Sequence, residues 1–234
     1  MALNKVNNMY DFVETWNPLA GECAHLCSYC HVKSQFHRPA IKAKYTGPPR
    51  LHEKAFKGLG KDKTLFVCSQ TDLFAHDVSS TQIMTILDHC KKYPQNKYFI
   101  QTKNPHRMSQ FIYLWDYEFP KDIIICTTIE TNRDYELSKA PLPRQRASAM
   151  MDIPFNKMVT VEPIMDFDIE YMVPFIARCE PFQVNIGADS KRNNLPEPSP
   201  EKIKELIKEL EKFTTVKLKP NLKRLVPELF IEQR

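Results

Sequence analysis

Short apolar runs alternate with amphipathic stretches along most of this 234-residue chain. Each apolar run is closed by a polar turn, a pattern that predicts buried strands. The predicted strands are Tyr10–Trp16, Thr64–Cys68, Lys97–Thr102, Asp122–Thr128, Lys157–Val161, Phe182–Ile186 and Thr215–Leu218.

Apolar residues recur at helical spacing between these runs. Ser79 or Ser80 begins the first long helix, and Asn104-Pro105 resembles a cap followed by a first helical residue. Pro141 and Pro143 introduce a helix through Met151. Further helices are expected over Leu51–Lys57, from Asp168 through Ile176 with a kink or early end at Pro174, and over Lys202–Phe213.

Strands and helices that alternate at this pitch imply parallel βαβ units with right-handed crossovers. About six such units in one domain predict an α/β fold with a parallel sheet, an open or partial (β/α)6 TIM-like barrel. We expect a single domain over residues 1–234, with flexible ends at 1–9 and 226–234.

Composition adds a basic region to this picture. The apolar fraction of 42% is enough for a sizeable core, and no apolar run approaches the ~20 residues of a membrane span. Between His31 and Lys63, nine Lys and Arg residues face two acids, although the whole chain carries only +5. This excess predicts either a face that attracts nucleic acid or a solvated basic loop. Three aromatic residues there either stack on bases or anchor the segment: Phe36, Tyr45 and Phe56.

Three of the seven cysteines lie within eight residues, as Cys23, Cys27 and Cys30 in a C-x3-C-x2-C string. An odd cysteine count, with no secretory-type apolar run at the start, predicts a reducing, cytoplasmic location. Clustered cysteines in such a compartment are more often metal sites than disulfides.

Two kinds of metal site fit these thiols. Zinc could complete a Cys3His site with His25, His31 or His37, although a second distant ligand pair is missing from the sequence. A [4Fe–4S] cluster normally takes four thiolates, so three would leave one iron without a protein ligand. An open iron is what radical chemistry with S-adenosylmethionine (SAM) requires.

The cysteine string, with Tyr29 directly before the third cysteine, resembles the signature of the radical SAM superfamily. That resemblance implies a (β/α)6 core, a [4Fe–4S] cluster on the three cysteines, bound SAM and an external electron donor. It also implies that Tyr29 lies near the adenine.

The reactive centre of such a barrel lies at the C-terminal ends of its strands, where several polar residues occur. From their place after strands three and four, Lys103 is a candidate to pair with the SAM carboxylate, and Thr128 and Glu130 are candidates to meet its amino acid or ribose groups. Polar turns, helix caps or solvent exposure would explain the same residues structurally. The candidates for SAM binding are Ser69, Gln70, Asp72, Thr102, Lys103, Thr128, Glu130, Glu162 and Asn185.

Several strings resemble a narrower, phage- and prokaryote-associated radical SAM family of undefined function. They are Thr15-Trp16-Asn17-Pro18, Phe66-Val67-Cys68-Ser69, Asp72-Leu73-Phe74, Gln101-Thr102-Lys103-Asn104-Pro105, Arg107-Met108, Glu162-Pro163 and Lys219-Pro220-Asn221. A looser likeness to spore photoproduct lyase, a DNA-repair radical SAM enzyme, covers the cysteine string and the barrel.

Two departures from the radical SAM pattern affect the expected site. The turn after the second strand lacks a Gly-Gly-Glu-like motif, so Ser69 and Asp72 are either its substitutes or simply part of a polar turn. The sixth-strand turn reads Gly187-Ala188-Asp189-Ser190 where Gly-Gly-Glu-Ser is expected, which puts the role of Asp189 in doubt.

The sequence therefore predicts a radical SAM enzyme, with a nucleic acid or nucleotide as the favoured substrate. Two alternatives remain open. One is a nucleic-acid-binding module with a structural zinc site, and the other is a barrel that binds the cluster or SAM without turnover.

Overall fold

The computed structural model describes residues 13–114 and 116–230, which form an α/β fold. The strands are β1 (Glu14–Trp16), β2 (Leu19–Ala20), β3 (Arg50–Leu51), β4 (Thr64–Val67), β5 (Lys97–Thr102), β6 (Ile123–Thr128), β7 (Asn156–Val161), β8 (Gln183–Ile186) and β9 (Thr215–Leu218). The helices are α1 (Pro39–Lys44), α2 (Ser80–Lys91), α3 (Pro105–Tyr113), α4 (Pro143–Met151), α5 (Ile169–Arg178) and α6 (Pro200–Leu210).

Seven strands form one sheet in the order β1-β4-β5-β6-β7-β8-β9, and every neighbouring pair is parallel. From β4 to β9 the strand order follows the chain, with a helix between successive strands, as right-handed βαβ crossovers require. Within the described part of the chain, β1 and β9 are not paired with each other, so the sheet is a partial barrel. The predicted fold class is confirmed.

The two faces of this sheet differ in character because successive side chains of a strand point to opposite faces. One face carries Val67, Ile100, Ile125, Val159 and Ile186, which join the helices in the main hydrophobic cluster. The other face begins with a small apolar cluster of Phe99, Ile124, Cys126 and Met158. It becomes polar towards the C-terminal strand ends, with Gln101, Thr128, Thr160 and Asn185.

A second sheet of two antiparallel strands lies beside the first. Its strands β2 and β3 pair Leu19 with Leu51 and Ala20 with Arg50. Along the chain β2 lies between β1 and the cysteines, and β3 comes after them, so the cysteine loop follows β2 rather than the first strand of the barrel directly.

Element boundaries agree closely where the apolar pattern is clear. β5 and β9 have the predicted bounds, and Ser79 caps α2 by accepting a hydrogen bond from the Gln82 backbone. The helix predicted over Leu51–Lys57 is wrong, because Leu51 belongs to β3 and a single 3-10 turn covers Glu53–Ala55. The part of the first predicted strand before residue 13 lies outside the described residues.

The start and course of α5 differ from the sequence-based expectation at Asp168 and Pro174. Pro174 lies inside α5 without ending it, and Pro39 begins α1 at its first turn. Asp168 precedes α5 but does not cap it with its side chain, because its carboxylate binds Arg133 and Asn132 instead.

The C-terminal end is structured as far as it is described. Val226 is buried and Pro227–Phe230 forms a 3-10 helix. No helix within residues 13–114 or 116–230 is long and apolar enough to cross a lipid bilayer.

Candidate active site

A cavity of about 460 Å³ opens at the C-terminal edge of the large sheet. Parallel strands bring their carboxyl ends to one edge, so residues far apart in sequence meet there. Eleven of the thirteen residues predicted for the site line this cavity: Cys23, Cys27, Tyr29, Cys30, Ser69, Gln70, Asp72, Thr102, Lys103, Thr128 and Glu162. Glu130 and Asn185 are absent from its lining.

The cavity has two sides that we name by their residues. The near wall comprises Cys23, Cys27, Tyr29, Asp72 and Lys103. The far wall comprises Glu162, Asp189, Ser190, Lys191 and Lys219, which follow β7, β8 and β9.

Backbone contacts fix the loop that carries the cysteines. Gly21 has φ of +103°, and a Cβ there would collide with the Pro48 carbonyl, so a glycine is required. The Gly21 amide donates to the Lys44 carbonyl at 3.0 Å, and the Gly21 carbonyl accepts from the Thr71 hydroxyl at 3.1 Å. The loop is thereby tied to both α1 and the β4–α2 turn.

The three thiols are free, half-buried and share one cavity. Burial, followed by the charge of Asp72, raises the pKa of the Cys23 thiol to about 12. In residues 13–114 and 116–230, no three His, Cys, Asp or Glu side chains are placed to hold a single metal ion. In a [4Fe–4S] cluster each thiolate binds a different iron, so the ligands need not converge on one point. Three thiols beside one cavity fit that requirement.

His25 lies between the first two cysteines and is held by Asp72. Its Nε2 is 2.8 Å from Asp72 Oδ2, and the ring is buried. Asp72 also accepts from the backbone amides of Lys103 at 2.7 Å and Phe74 at 2.9 Å. Although burial acts to raise it, the His25 charge and these hydrogen bonds keep the pKa of Asp72 below its usual range. Asp72 therefore joins the cysteine loop to two strand ends, and its predicted contact with SAM stays a prediction.

A buried charged network lies behind Tyr29. The Tyr29 hydroxyl donates to Glu130 Oε1 at 2.7 Å, and Lys103 Nζ donates to the same oxygen and to the Tyr29 hydroxyl. Arg146 Nη1 donates to Glu130 Oε2 at 2.8 Å. Burial opposes ionisation of Glu130, but Arg146 and then Lys103 outweigh it and hold the pKa of Glu130 well below its usual range.

This network accounts for the absence of Glu130 from the cavity lining. Its side chain is 1% exposed, and both carboxylate oxygens face cations. Lys103 and Tyr29 do reach the cavity, with Lys103 Nζ 5.0 Å from the centre of the Tyr29 ring. Glu130 therefore orients two residues that face the cavity.

The far wall is organised by Glu162 and Asn221. Glu162 Oε1 forms an ion pair with Lys219 and accepts from the Asn221 amide at 3.2 Å. Asn221 also donates to Ser190 Oγ at 2.6 Å. Gly187 makes room for Glu162, since a Cβ would lie 2.9 Å from the Glu162 Cδ atom.

The remaining predicted residues differ in what they contact. Ser69 donates to the Asn17 side chain at 3.1 Å, whereas Gln70 Oε1 is buried with no hydrogen-bond partner among the described residues. Thr128 Oγ1 accepts from Gln101 at 3.0 Å. Asn185 is fully buried within β8, and the residues that reach the cavity from this strand lie further along, from Ala188 onwards.

Several residues of this site escaped the sequence analysis, among them Lys191 of the far wall, Arg146 and Ser138. Arg146 lies on α4, and its signal was a cation on a helix face that otherwise packs inwards. Ser138 Oγ is 3.2 Å from Cys27 Sγ and donates to the His25 carbonyl, but it belongs to a loop without a recognisable pattern.

The basic region between His31 and Lys63 contains two groups of cations, those bound to other parts of the protein and those left exposed. Arg50 donates to backbone carbonyls and Lys44 to the Asn17 carbonyl, while Lys33 and Lys63 form ion pairs with Glu22 and Glu14. Tyr45 is buried and Phe56 packs edge-on against Trp16, so these two aromatics act as anchors. The exposed cations that remain are Arg38, Lys42, Lys54, Lys57 and Lys61.

This fold and site define a parallel α/β partial barrel with a three-cysteine cavity at the carboxyl edge of its sheet. The sequence profile of the family described as "Protein of unknown function (DUF5131)" matches residues 9–172. The chain therefore belongs to the DUF5131 family. No curated protein matches it in sequence.

Solved structures of spore photoproduct lyase share its fold. A cysteine-to-serine mutant superposes with a TM-score of 0.62 at 10% identity, covering 93% of this chain and 79% of that one. A double mutant with bound AdoMet and dinucleoside spore photoproduct gives a TM-score of 0.61 at 10% identity, covering 86% and 75%. At identities this low, the superpositions show a shared fold and nothing more.

Proposed function

We propose that this protein is a radical SAM enzyme whose [4Fe–4S] cluster is held by Cys23, Cys27 and Cys30. The observation that carries the proposal is the placement of three free thiols on one loop, beside the cavity at the carboxyl edge of a parallel sheet. When bound, the reduced cluster would cleave SAM to a 5′-deoxyadenosyl radical that abstracts hydrogen from the substrate. The fold shared with a lyase that binds AdoMet supports this proposal.

The near wall would bind SAM. The volume of the main cavity, about 460 Å³, lies within the range of small-molecule sites. Tyr29 would lie against the adenine, and Lys103 would pair with the carboxylate of the methionyl group. Ser69, Gln70, Asp72, Thr102 and Thr128 would contact the remaining polar groups, with Glu130 acting through Tyr29 and Lys103.

The far wall would face the substrate, which we propose is a nucleic acid or nucleotide. Lys191 and Lys219 are two cations on this side of the cavity, and Lys191 is exposed. Cations of this kind pair with phosphate groups. A neighbour in fold binds a dinucleoside spore photoproduct, which is consistent with this substrate class.

Three further points belong to the same proposal. The chain functions as one domain over residues 1–234, in the cytoplasm, where an external donor reduces the cluster. Its seven cysteines are all free thiols, as a reducing compartment favours. We also propose that it is related to phage- and prokaryote-associated radical SAM proteins.

Anaerobic reconstitution with iron and sulfide tests the cofactor assignment. Wild-type protein should develop a broad absorbance near ~400 nm from thiolate-bound iron–sulfur and release 5′-deoxyadenosine from SAM with dithionite. Cys23→Ala should lose both signals. Cys90→Ala is the matched control, because Cys90 is buried in the last turn of α2 and does not line the cavity.

Other outcomes would identify the alternatives. Stoichiometric zinc without any cluster would contradict the proposal and indicate a structural zinc module. A cluster that binds SAM but yields no 5′-deoxyadenosine would indicate a non-catalytic barrel.

A further inference from the structure

The cysteine loop borders a second, smaller cavity. This cavity has a volume of about 40 Å³ and is also lined by Cys23, Cys27 and Cys30. Its other walls differ from those of the main cavity, because Glu22, Lys33, Phe36 and Tyr45 replace the strand ends. The thiols are therefore approached from two directions, one leading to the main cavity and one leading to the region around α1.

The chain around this second approach contains no acidic residue from Cys23 to His52. We define the α1 surface as the exposed residues Lys33, Arg38, Pro39, Ala40, Lys42 and Ala43. Lys33 pairs with Glu22 at 2.9 Å, while Arg38 and Lys42 have no acidic partner among the described residues. Between these cations the surface is small and apolar.

We propose that the α1 surface docks an acidic electron-carrier protein that delivers one electron to the cluster. This inference rests on the proposed function, since it needs a cluster on the three cysteines. In the transfer, one electron leaves a reduced flavin or iron–sulfur group of the carrier and enters the cluster, and no bond forms or breaks. Electron-transfer encounters use small, weak interfaces that charge complementarity steers, and the exposed cations of the α1 surface suit an acidic carrier.

The same surface suits nucleic acid less well. A nucleic-acid groove lines its path with cations and stacks bases on aromatic side chains. Here Pro39, Ala40 and Ala43 occupy the exposed centre, and Tyr45 is buried. Other exposed cations of the basic region, Lys57 and Lys61, lie near the last turn of α2 and the start of β5, at the opposite edge of the sheet.

Two double variants that reverse charge at different places distinguish docking at the α1 surface from an effect of the net charge of the protein. The test pair is Arg38→Glu with Lys42→Glu, and the control pair is Lys57→Glu with Lys61→Glu, which changes the net charge equally. Reduced acidic flavodoxin is the probe. Stopped-flow absorbance near ~400 nm follows reduction of the reconstituted protein, and fluorescence anisotropy follows flavodoxin binding to the cluster-free chain.

In the test pair, the second-order rate constant for reduction by flavodoxin should be lower than in wild type by about tenfold or more at low salt. The difference should fade at high salt because exposed charges are then screened. Binding of flavodoxin to the cluster-free chain should weaken in parallel. The control pair should stay within about twofold of wild type, and dithionite should reduce all three proteins equally.

Each contrary result has a distinct meaning. Equal slowing in both pairs, or in neither, would overturn the docking surface. An unchanged rate with flavodoxin, together with weaker binding of single-stranded DNA by the test pair, would assign the surface to nucleic acid and also overturn it. Failure to build a cluster, or to reduce it with dithionite, would instead contradict the proposed function.

Discussion

The two walls of the main cavity are built in different ways. On the near wall the Asp72 side chain is only 9% exposed, and behind that wall Glu130 is buried. The two carboxylates are engaged by His25, Lys103 and Arg146. On the far wall Asp189 is buried and Glu162 is half-buried, but Ser190 and Lys191 are exposed. A preorganised wall suits a cofactor that has one shape, whereas an exposed wall suits a large substrate that approaches from solvent. The comparison predicts that mutations will affect stability unequally on the two sides.

The largest effect is expected for Glu130→Gln. This change leaves the buried Arg146 and the half-buried Lys103 without their counter-charge, and we expect a loss of about 3–5 kcal/mol in the free energy of unfolding at pH 7. Urea denaturation measures this loss. Glu170→Gln, at an exposed position of α5, should change the free energy by about 0.5 kcal/mol or less.

The same variant has a pH signature. Because the folded pKa of Glu130 is lowered, its stabilising contribution is complete above the unfolded-state pKa of about 4.3 and is lost as the pH falls below it. The wild-type protein should therefore lose stability in acid more steeply than Glu130→Gln. Parallel acid profiles for the two proteins would contradict the assigned network.

Arg146→Ala should have a smaller effect, because Glu130 keeps its bond to Lys103. Loss of one hydrogen-bonded charge predicts about 2–3 kcal/mol of destabilisation, measured by denaturation. Arg144→Ala, on the exposed face of the same helix, is the matched control. Equal losses for the two arginines would show that the network behind the near wall does not depend on Arg146.

Gly187→Ala should have the smallest effect and concerns the far wall. The added methyl group would push against the Glu162 carboxylate, which is the mobile end of a flexible side chain. We expect about 1 kcal/mol of destabilisation and a weaker Glu162–Lys219 pair, seen in a crystal structure of the variant. A loss as large as that of Glu130→Gln would remove the distinction between the walls.

The sequence predicted the fold well because that fold depends on local periodicity. Lys97–Thr102 and Thr215–Leu218 are short, strongly patterned strands, and their bounds follow from the pattern alone. The Leu51–Lys57 helix failed because pairing with β2, a contact distant in sequence, draws Leu51 into a strand. Tertiary pairing of this kind overrides weak local preference.

The candidate site was predictable in outline for a different reason. Parallel topology brings every strand end to one edge, so a residue directly after a strand is near the site by construction. Asn185 does not line the cavity, because it lies inside β8 and the residues that reach the cavity come after that strand, from Ala188 onwards. Arg146 lies on the inward face of α4, but that local signal does not identify Glu130, 16 residues earlier and just after β6, as its partner.

The small β2–β3 sheet has a consequence for how the holoprotein is assembled. It holds Leu19 and Ala20 against β3, and the hydrogen bonds of Gly21 to Lys44 and Thr71 extend this support into the cysteine loop. None of these contacts involves a thiol. Under the proposed function, iron and sulfide would be added to a loop whose path the fold already sets, so building the cluster would be a separate, later event in the life of the protein.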